Sequence, residues 1–318
     1  MSSQPYADIG HSITRIDTAM MREGLAACYL LQGGDEYAVI ETGTHNTVPI
    51  ILALLEQRGI ERGQVKFVIP THVHLDHAGG VGGLMQALPA ATLLVHPRGA
   101  RHMIDPSKLK AGATAVYGEE AFAKVYGDII PVDAQRVRAM HEGDHVMVGE
   151  RRLDFYDTPG HARHHFCVYD SLSAGIFTGD TFGLSYPPLT TEQGPFILPT
   201  TTPVQFDPQA LKASIRKLLA LNPRRMFLTH YGAMDTPQEP GERLLAMVED
   251  YVALAEAAAP GDNATLLPRL ESAMQDYLFA KARDHGVALS EDELQDALGF
   301  DINLNSQGLL VWLQQQKG

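Results

Sequence analysis

The sequence predicts an α/β protein in which two β-sheets pack face to face with helices outside, followed by an all-helical C-terminal extension. Three observations predict it. Hairpin-rich β segments interleaved with single helices occur in two successive batches. Four short strands each run into polar residues beside a glycine, at positions 71–80, 160–161, 179–180 and 230–232. After Pro240 no strand signal remains and helical patterns take over. The expected division is residues 1–239 for the α/β part and 240–318 for the extension.

Each element has a local reason. Residues 25–31 are mostly apolar, Gly33-Gly34-Asp35 turns, and residues 37–40 resume a strand, a hairpin signal that ends at Glu41-Thr42-Gly43. Ile50, Ile51, Leu54 and Leu55 mark a helix over 48–58. Residues 65–69 are an apolar, β-branched strand, followed after the polar cluster by a short helix around Leu84, Met85 and Leu88. Residues 91–96 form a strand closed by Pro97, and residues 97–130 are helical in composition, long enough to cover a site. Strands at 137–140 and 146–148 flank the turn Glu142-Gly143-Asp144. Residues 152–156 alternate as a strand, and 166–169 with 174–177 make a second hairpin. Residues 182–208 lack periodicity, but Tyr186, Phe196 and Phe206 argue for order in this long connection. A helix carries Leu211, Ile215, Leu218 and Leu219, and residues 225–229 are the last expected strand. The extension reads as helices over 244–258, 265–282, 291–298 and 307–315.

Composition narrows the class. A formal charge of -13 over 318 residues argues against nucleic-acid or anionic-membrane binding, which need basic surface. Two distant cysteines, Cys28 and Cys167, form no CxxC spacing and no disulfide framework. The first ten residues lack a basic and an apolar signal region, and no apolar run is long enough to span a membrane. These features predict a soluble, cytoplasmic protein.

The stretch Thr71-His72-Val73-His74-Leu75-Asp76-His77 concentrates three histidines and a carboxylate on a tight connection. Neutral imidazole and carboxylate are ligands for zinc, iron or manganese. Without a cation the cluster would be costly, because charged imidazoles repel one another and a lone buried carboxylate tends to protonate. His72 and His74, two apart in extended chain, face the same way. Asp76 and His77 follow where the chain turns, so one pair for one metal and one pair for a second is the natural reading.

The ordered set HxHxDH, TPGH, TGD and THYG, here at His72 to His77, Thr158 to His161, Thr178 to Asp180 and Thr229 to Gly232, resembles the metallo-β-lactamase fold superfamily over about residues 25–232. The resemblance implies an αββα sandwich of two mixed β-sheets with a dinuclear site at one sheet edge. It assigns His72, His74 and His161 to one metal, Asp76, His77 and His230 to the other, and Asp180 as the bridge between two divalent ions. Zinc is the first expectation, with iron or manganese as alternatives. Two metals sharing a carboxylate lower the pKa of a bridging water and make a nucleophile at neutral pH. Asp76 is expected as a proton acceptor, and Tyr231, with Tyr186, as a donor to a substrate oxyanion. Glu41 is weighed as an orienting carboxylate against a solvated turn residue. His164 replaces a glycine of the common pattern and His165 keeps its second histidine; both are assigned to the cleft or to ligand support. His96, His102, His141 and His145 have no motif context.

Fold alone does not settle activity. His74 stands where flavodiiron oxidoreductases typically carry glutamate, the Asp180 bridge separates the chain from antibiotic-hydrolysing lactamases, and the acidic charge opposes the nucleases of the fold. The run from Thr200 to Pro208 resembles a subgroup with a helical C-terminal region. The reading is a metal-dependent hydrolase of a small ester, thioester or lactone. The alternative is a non-hydrolytic di-iron protein that binds or senses oxygen. The apolar residues Leu309 to Leu313 must pack on this chain or, through the C-terminal helices, on a second copy in a homodimer.

Overall fold

A computed structural model describes residues 5–201 and 204–316. Thr202 and Pro203 of the motif-bearing run lie outside the described residues. In chain order the elements are β1 (Tyr6–Asp8), β2 (Ile13–Asp17), β3 (Ala27–Gly33), β4 (Glu36–Ile40), α1 (Val48–Gln57), β5 (Val65–Ile69), α2 (Leu75–Ala78), α3 (Val81–Ala87), β6 (Thr92–Val95), α4 (Pro97–Ile104), α5 (Ser107–Tyr117), α6 (Glu119–Tyr126) and β7 (Val137–Ala139). They continue with β8 (His145–Val148), β9 (Arg151–Asp157), β10 (Phe166–Asp170), β11 (Gly175–Gly179), α7 (Pro208–Ala220), β12 (Arg225–Leu228), β13 (Gly232–Asp235), α8 (Gln238–Ala258), α9 (Leu266–Asp284) and α10 (Glu291–Gln316).

Two mixed sheets result, one of seven strands in the order β1 to β7 and one of six in the order β13-β12-β11-β10-β9-β8. In the first, β1 to β4 pair antiparallel, and β4, β5, β6 and β7 run parallel. Parallel neighbours need crossover connections, which α1, α3 and α4 to α6 supply. The turn at Glu142-Gly143-Asp144 joins β7 to β8 and carries the chain from one sheet to the other. The inner faces of both sheets meet in a core of Ile13, Tyr29, Leu31, Ile40 and Ile69 with Leu153, Phe155, Phe166, Phe177 and Phe227. The outer face of the first sheet is covered by Ile51, Leu54 and Leu55 of α1 and Leu84 and Met85 of α3. Each such side chain contributes about 1.5–3 kcal/mol on burial.

Three strands depart from the expected set. In β2 the buried positions include the polar Thr14 and Asp17, which hides the alternation a strand should show. Thr14 Oγ1 donates to Asp8 Oδ1 at 2.7 Å, tying β2 to the three-residue β1. The strand at residues 225–229 is not the last, because Gly232–Asp235 adds β13 at the sheet edge. The two terminal helical segments are one 26-residue helix, α10, running through Gly299, Asn303, Asn305 and Gly308.

The chain divides into two compact units. One comprises Met1–Asp157, His164–Gly179 and Arg224–Ala233; the other comprises Thr158–Arg163, Asp180–Pro223 and Met234–Gly318. The first holds the sheets, apart from the end of β13. In the second, Asp207 caps α7 by accepting from Gln209 N and Ala210 N, both at 3.0 Å. Helices α9 and α10 pack together, and Leu270, Met274 and Leu278 of the first and Leu298, Ile302 and Leu309 of the second are buried. Leu309, Trp312 and Leu313 are buried within this single chain. Helix α10 also grips the connection before α7. Thr201 N donates to Asn305 Oδ1 at 2.7 Å, Asn305 Nδ2 donates to Pro199 O at 3.2 Å, and Tyr186 OH donates to Asp301 Oδ1 at 3.1 Å. No described helix is long and apolar enough to cross a membrane.

Candidate metal centre

The site is built from strand ends. Strand β4 delivers Glu41, whose backbone is left-handed at φ 60° and which is 1% exposed. Strand β5 delivers Thr71 and His72, both fully buried, then His74 as the residue preceding α2, and Asp76 and His77 in its single turn. Strand β12 delivers Thr229 and His230. In the second unit, His161 and Asp180 lie on the segments that follow β9 and β11.

Glu41 binds these ends together. Its Oε1 accepts from Thr71 Oγ1 at 2.5 Å and Thr229 Oγ1 at 3.0 Å and lies 3.0 Å from His77 Nδ1. Its Oε2 accepts from Thr71 N at 3.1 Å. An ionised carboxylate only accepts, so His77 carries its proton on Nδ1 and offers the lone pair of Nε2. His230 Nδ1 lies 2.8 Å from Leu25 O, a carbonyl that can only accept, so His230 likewise offers Nε2. Both Nε2 atoms approach the same oxygen, Asp76 Oδ2, at 3.5 and 3.3 Å. Two imidazole lone pairs and a carboxylate oxygen directed at one point are donors suited to a divalent cation.

The tautomer of His72 is set in the same way. The single Thr71 hydroxyl proton goes to Glu41, so the 3.2 Å contact between Thr71 Oγ1 and His72 Nδ1 has the imidazole donating. His72 then presents the lone pair of Nε2, which lies 2.9 Å from His74 Nδ1. This pair fits a shared cation as well as a hydrogen bond. In the second unit His161 Nε2 stands 3.3 Å from Asp180 Oδ2, a donor pair of the same chemistry. The first unit therefore assembles His72 with His74 and Asp76 with His77 and His230, and the second assembles His161 with Asp180.

The neighbours divide by contact. The His165 ring stacks on His72 at 4.9 Å and is fully buried. Gly179, at φ 48°, is required beside it, because a Cβ there would collide with Thr71 Oγ1 and His165 Nε2. The His164 ring lies 5.6 Å from His74 and 6.1 Å from His72. On its other side, 6.5 Å away, is His102 of α4, a residue with no motif context. A single histidine on an amphipathic helix carries no signal in sequence; only the tertiary fold brings it here. His96 has a local task instead. Its Nδ1 accepts from Arg98 N at 3.1 Å to cap α4, and its Nε2 lies 3.0 Å from Asp157. Burial, partly opposed by Asp157, holds its pKa below the usual histidine range.

Tyr231 OH donates to Asp17 Oδ2 at 3.0 Å, and Arg15 lies over its ring at 4.6 Å. Burial first, then the Asp17 carboxylate, pushes this phenol's pKa well up, against the Arg15 charge. Tyr186 is 1% exposed and committed to Asp301.

The family model described as the metallo-beta-lactamase superfamily matches residues 21–230. Metallo-beta-lactamase fold-containing protein ST1585 of Sulfurisphaera tokodaii is 26% identical over 228 residues, 70% of this chain and 79% of its own. A hydroxyacylglutathione hydrolase of Maricaulis maris is 27% identical over 240 residues, 72% of this chain and 78% of its own. Among solved structures, the metallo-beta-lactamase family protein TTHA1429 from Thermus thermophilus superposes with a TM-score of 0.67 at 19% identity, covering 98% of this chain and 95% of that one. That likeness is one of fold, and its coverage takes in the helical extension.

Proposed function

The chain belongs to the metallo-beta-lactamase superfamily, and from that premise we propose that it is a metal-dependent hydrolase of a small ester, thioester or lactone. The observation that carries the proposal is the convergence of His77 Nε2 and His230 Nε2 on Asp76 Oδ2, with each opposite ring nitrogen already engaged. The family relationship to a hydroxyacylglutathione hydrolase supports thioester chemistry.

In this reading His72, His74 and His161 would hold one divalent ion and Asp76, His77 and His230 a second, with Asp180 as a further ligand. Bound there, the metals would supply a water acidified to near neutral pH and a Lewis acid for the substrate oxygen. The chain's own residues do the rest. Glu41 keeps His77, and through Thr71 His72, in the tautomers that leave Nε2 available. Asp76, partly exposed, takes the proton of the attacking water on a carboxylate oxygen. Tyr231 turns its hydroxyl from Asp17 to the oxyanion that develops on the substrate, and its raised pKa keeps the proton on the phenol for that task.

The test is metal analysis of the purified protein followed by a panel of ester, thioester, lactone and phosphodiester substrates. Turnover of a carboxylic substrate that disappears on chelation, returns with zinc or manganese and is lost in Asp180→Ala is expected. Turnover that survives chelation overturns the reading. So does an iron-loaded protein that turns over none of the panel and changes its visible absorption in air.

A further inference from the structure

Within the second unit, a cavity of about 300 Å³ lies between helices α8 and α9 and the connection that precedes α7. That volume is at the lower end of what small-molecule sites enclose. Two helices face it with the same spacing. Arg243, Ala246 and Met247 stand three and four residues apart, which puts them on one side of α8. At the end of α9, Lys281, Asp284 and His285 repeat that spacing. Phe196 and Ile197 of the connection complete the lining, and with Met247 they are buried, so the cavity has an apolar wall. None of the candidate metal ligands lines it.

A buried side chain steadies one of the cations. His285 is 6% exposed, and its Nε2 lies 3.0 Å from Gly194 O, which can only accept, so the imidazole proton sits on Nε2. Its Nδ1 therefore offers a lone pair, and Arg243 Nη1 stands 3.5 Å from it. His285 O accepts from Thr191 Oγ1 at 3.0 Å, and the Phe196 ring lies 5.5 Å from the imidazole. Thr191, Gly194 and Phe196 thus hold His285, and His285 holds the guanidinium beside the cavity. Lys281 Nζ lies 3.5 Å from Asp250 Oδ2, an oxygen that also accepts from Tyr277 OH at 2.6 Å. The Asp284 carboxylate is exposed at the same cavity.

The lining thus combines two cations, one carboxylate and an apolar wall. A simple anion would meet Asp284, with Asp250 3.5 Å from Lys281 and Glu239 3.6 Å from Arg243. A simple cation would meet Arg243 and Lys281 themselves. A charge taken out of water needs a partner where it lands, and only a ligand of both signs finds one for each end. We propose that this cavity binds a small zwitterion, an α-amino acid with an apolar side chain. Its carboxylate accepts from Arg243 and Lys281, its ammonium donates to Asp284, and its side chain lies against Phe196, Ile197 and Met247. The ammonium also gains from the negative, C-terminal end of α9. The site stands apart from the hydrolase reading and does not depend on it. Phe196 and Ile197 belong to the connection that starts at Asp180, so an occupant ties that connection to α8 and α9.

Titration calorimetry of the metal-loaded full chain tests it with leucine, methionine, phenylalanine and glycine. For the amino acid that binds best, its amide and its deaminated acid are titrated too. Saturable binding of an apolar amino acid is expected, with glycine, the amide and the deaminated acid each weaker on the order of tenfold or more. Arg243→Gln and Asp284→Asn should each weaken binding on the order of tenfold, and Ala246→Trp, which fills the cavity, should abolish it, all with unchanged thermal unfolding. Chelator should leave binding intact, because no candidate metal ligand lines the cavity. Absence of binding by every apolar amino acid at millimolar concentration overturns the site. A deaminated acid that binds as tightly as its amino acid overturns the zwitterion. Binding that chelator abolishes, while Asp284→Asn and Ala246→Trp leave it unchanged, also overturns the proposal, since the amino acid would then be a ligand of the metal itself. If Arg243→Gln does not fold, Asp284→Asn and Ala246→Trp decide.

Discussion

Glu41 carries four polar contacts with almost no exposure, and each is to a group next to, or part of, the candidate metal centre. Substituting Gln keeps the volume but presents an NH2 to partners that are themselves donors. Glu41→Gln is expected to weaken metal binding by about 10–100-fold, read by competition with a chromophoric chelator. Unchanged affinity would mean that backbone geometry alone orients His77. In sequence this role and that of a solvated turn residue weigh evenly, because a carboxylate before Thr-Gly suits both. The histidines and aspartates of the four motifs were legible because such residue types, so clustered, have few uses besides binding metal. Asp17 and His102 were not. Asp17 matters through Tyr231, more than 200 positions away, and His102 through a ring that only the fold brings near.

Among the elements, α10 was the least legible. Its middle carries Gly299, Asp301, Asn303, Asn305, Ser306 and Gly308, residues that favour turns or caps over helix interiors. The structure uses several of them to hold the connection before α7. Asn305 answers Thr201 and Pro199, and Gly308 lies so close to Thr201 that a Cβ would overlap its carbonyl oxygen. Weak local propensity is offset by specific tertiary contacts. Gly308→Ala should therefore destabilise by about 1–3 kcal/mol despite the better helix propensity of alanine. Thermal denaturation checks this, and a variant as stable as the parent would show that the helix can move away from Thr201 at no cost. The parallel strands β4 to β6 posed no such difficulty, since their apolar runs and crossover helices follow ordinary periodicity.

At the scale of the molecule, ligands that bind only the folded chain raise its stability by mass action. With metal at about a thousand times its dissociation constant the gain is about 4 kcal/mol, enough to raise Tm by several degrees. Differential scanning calorimetry with zinc and with chelator should show that difference; coincident traces would mean that the histidine cluster holds no metal under those conditions. The turn at Glu142-Gly143-Asp144 bears on a different matter, the order in which the molecule can be made. Every strand of the first sheet precedes it and every strand of the second follows it. During synthesis β1 to β7 of the first sheet can pair among themselves before the strands of the second have left the ribosome. Asp76 and His77 belong to that early half, and His230 is among the last residues of the second sheet's region to emerge. A nascent chain thus carries only some of the proposed ligands for most of its translation. It closes their full set only when synthesis has passed His230, so that a truncated product lacks a complete site.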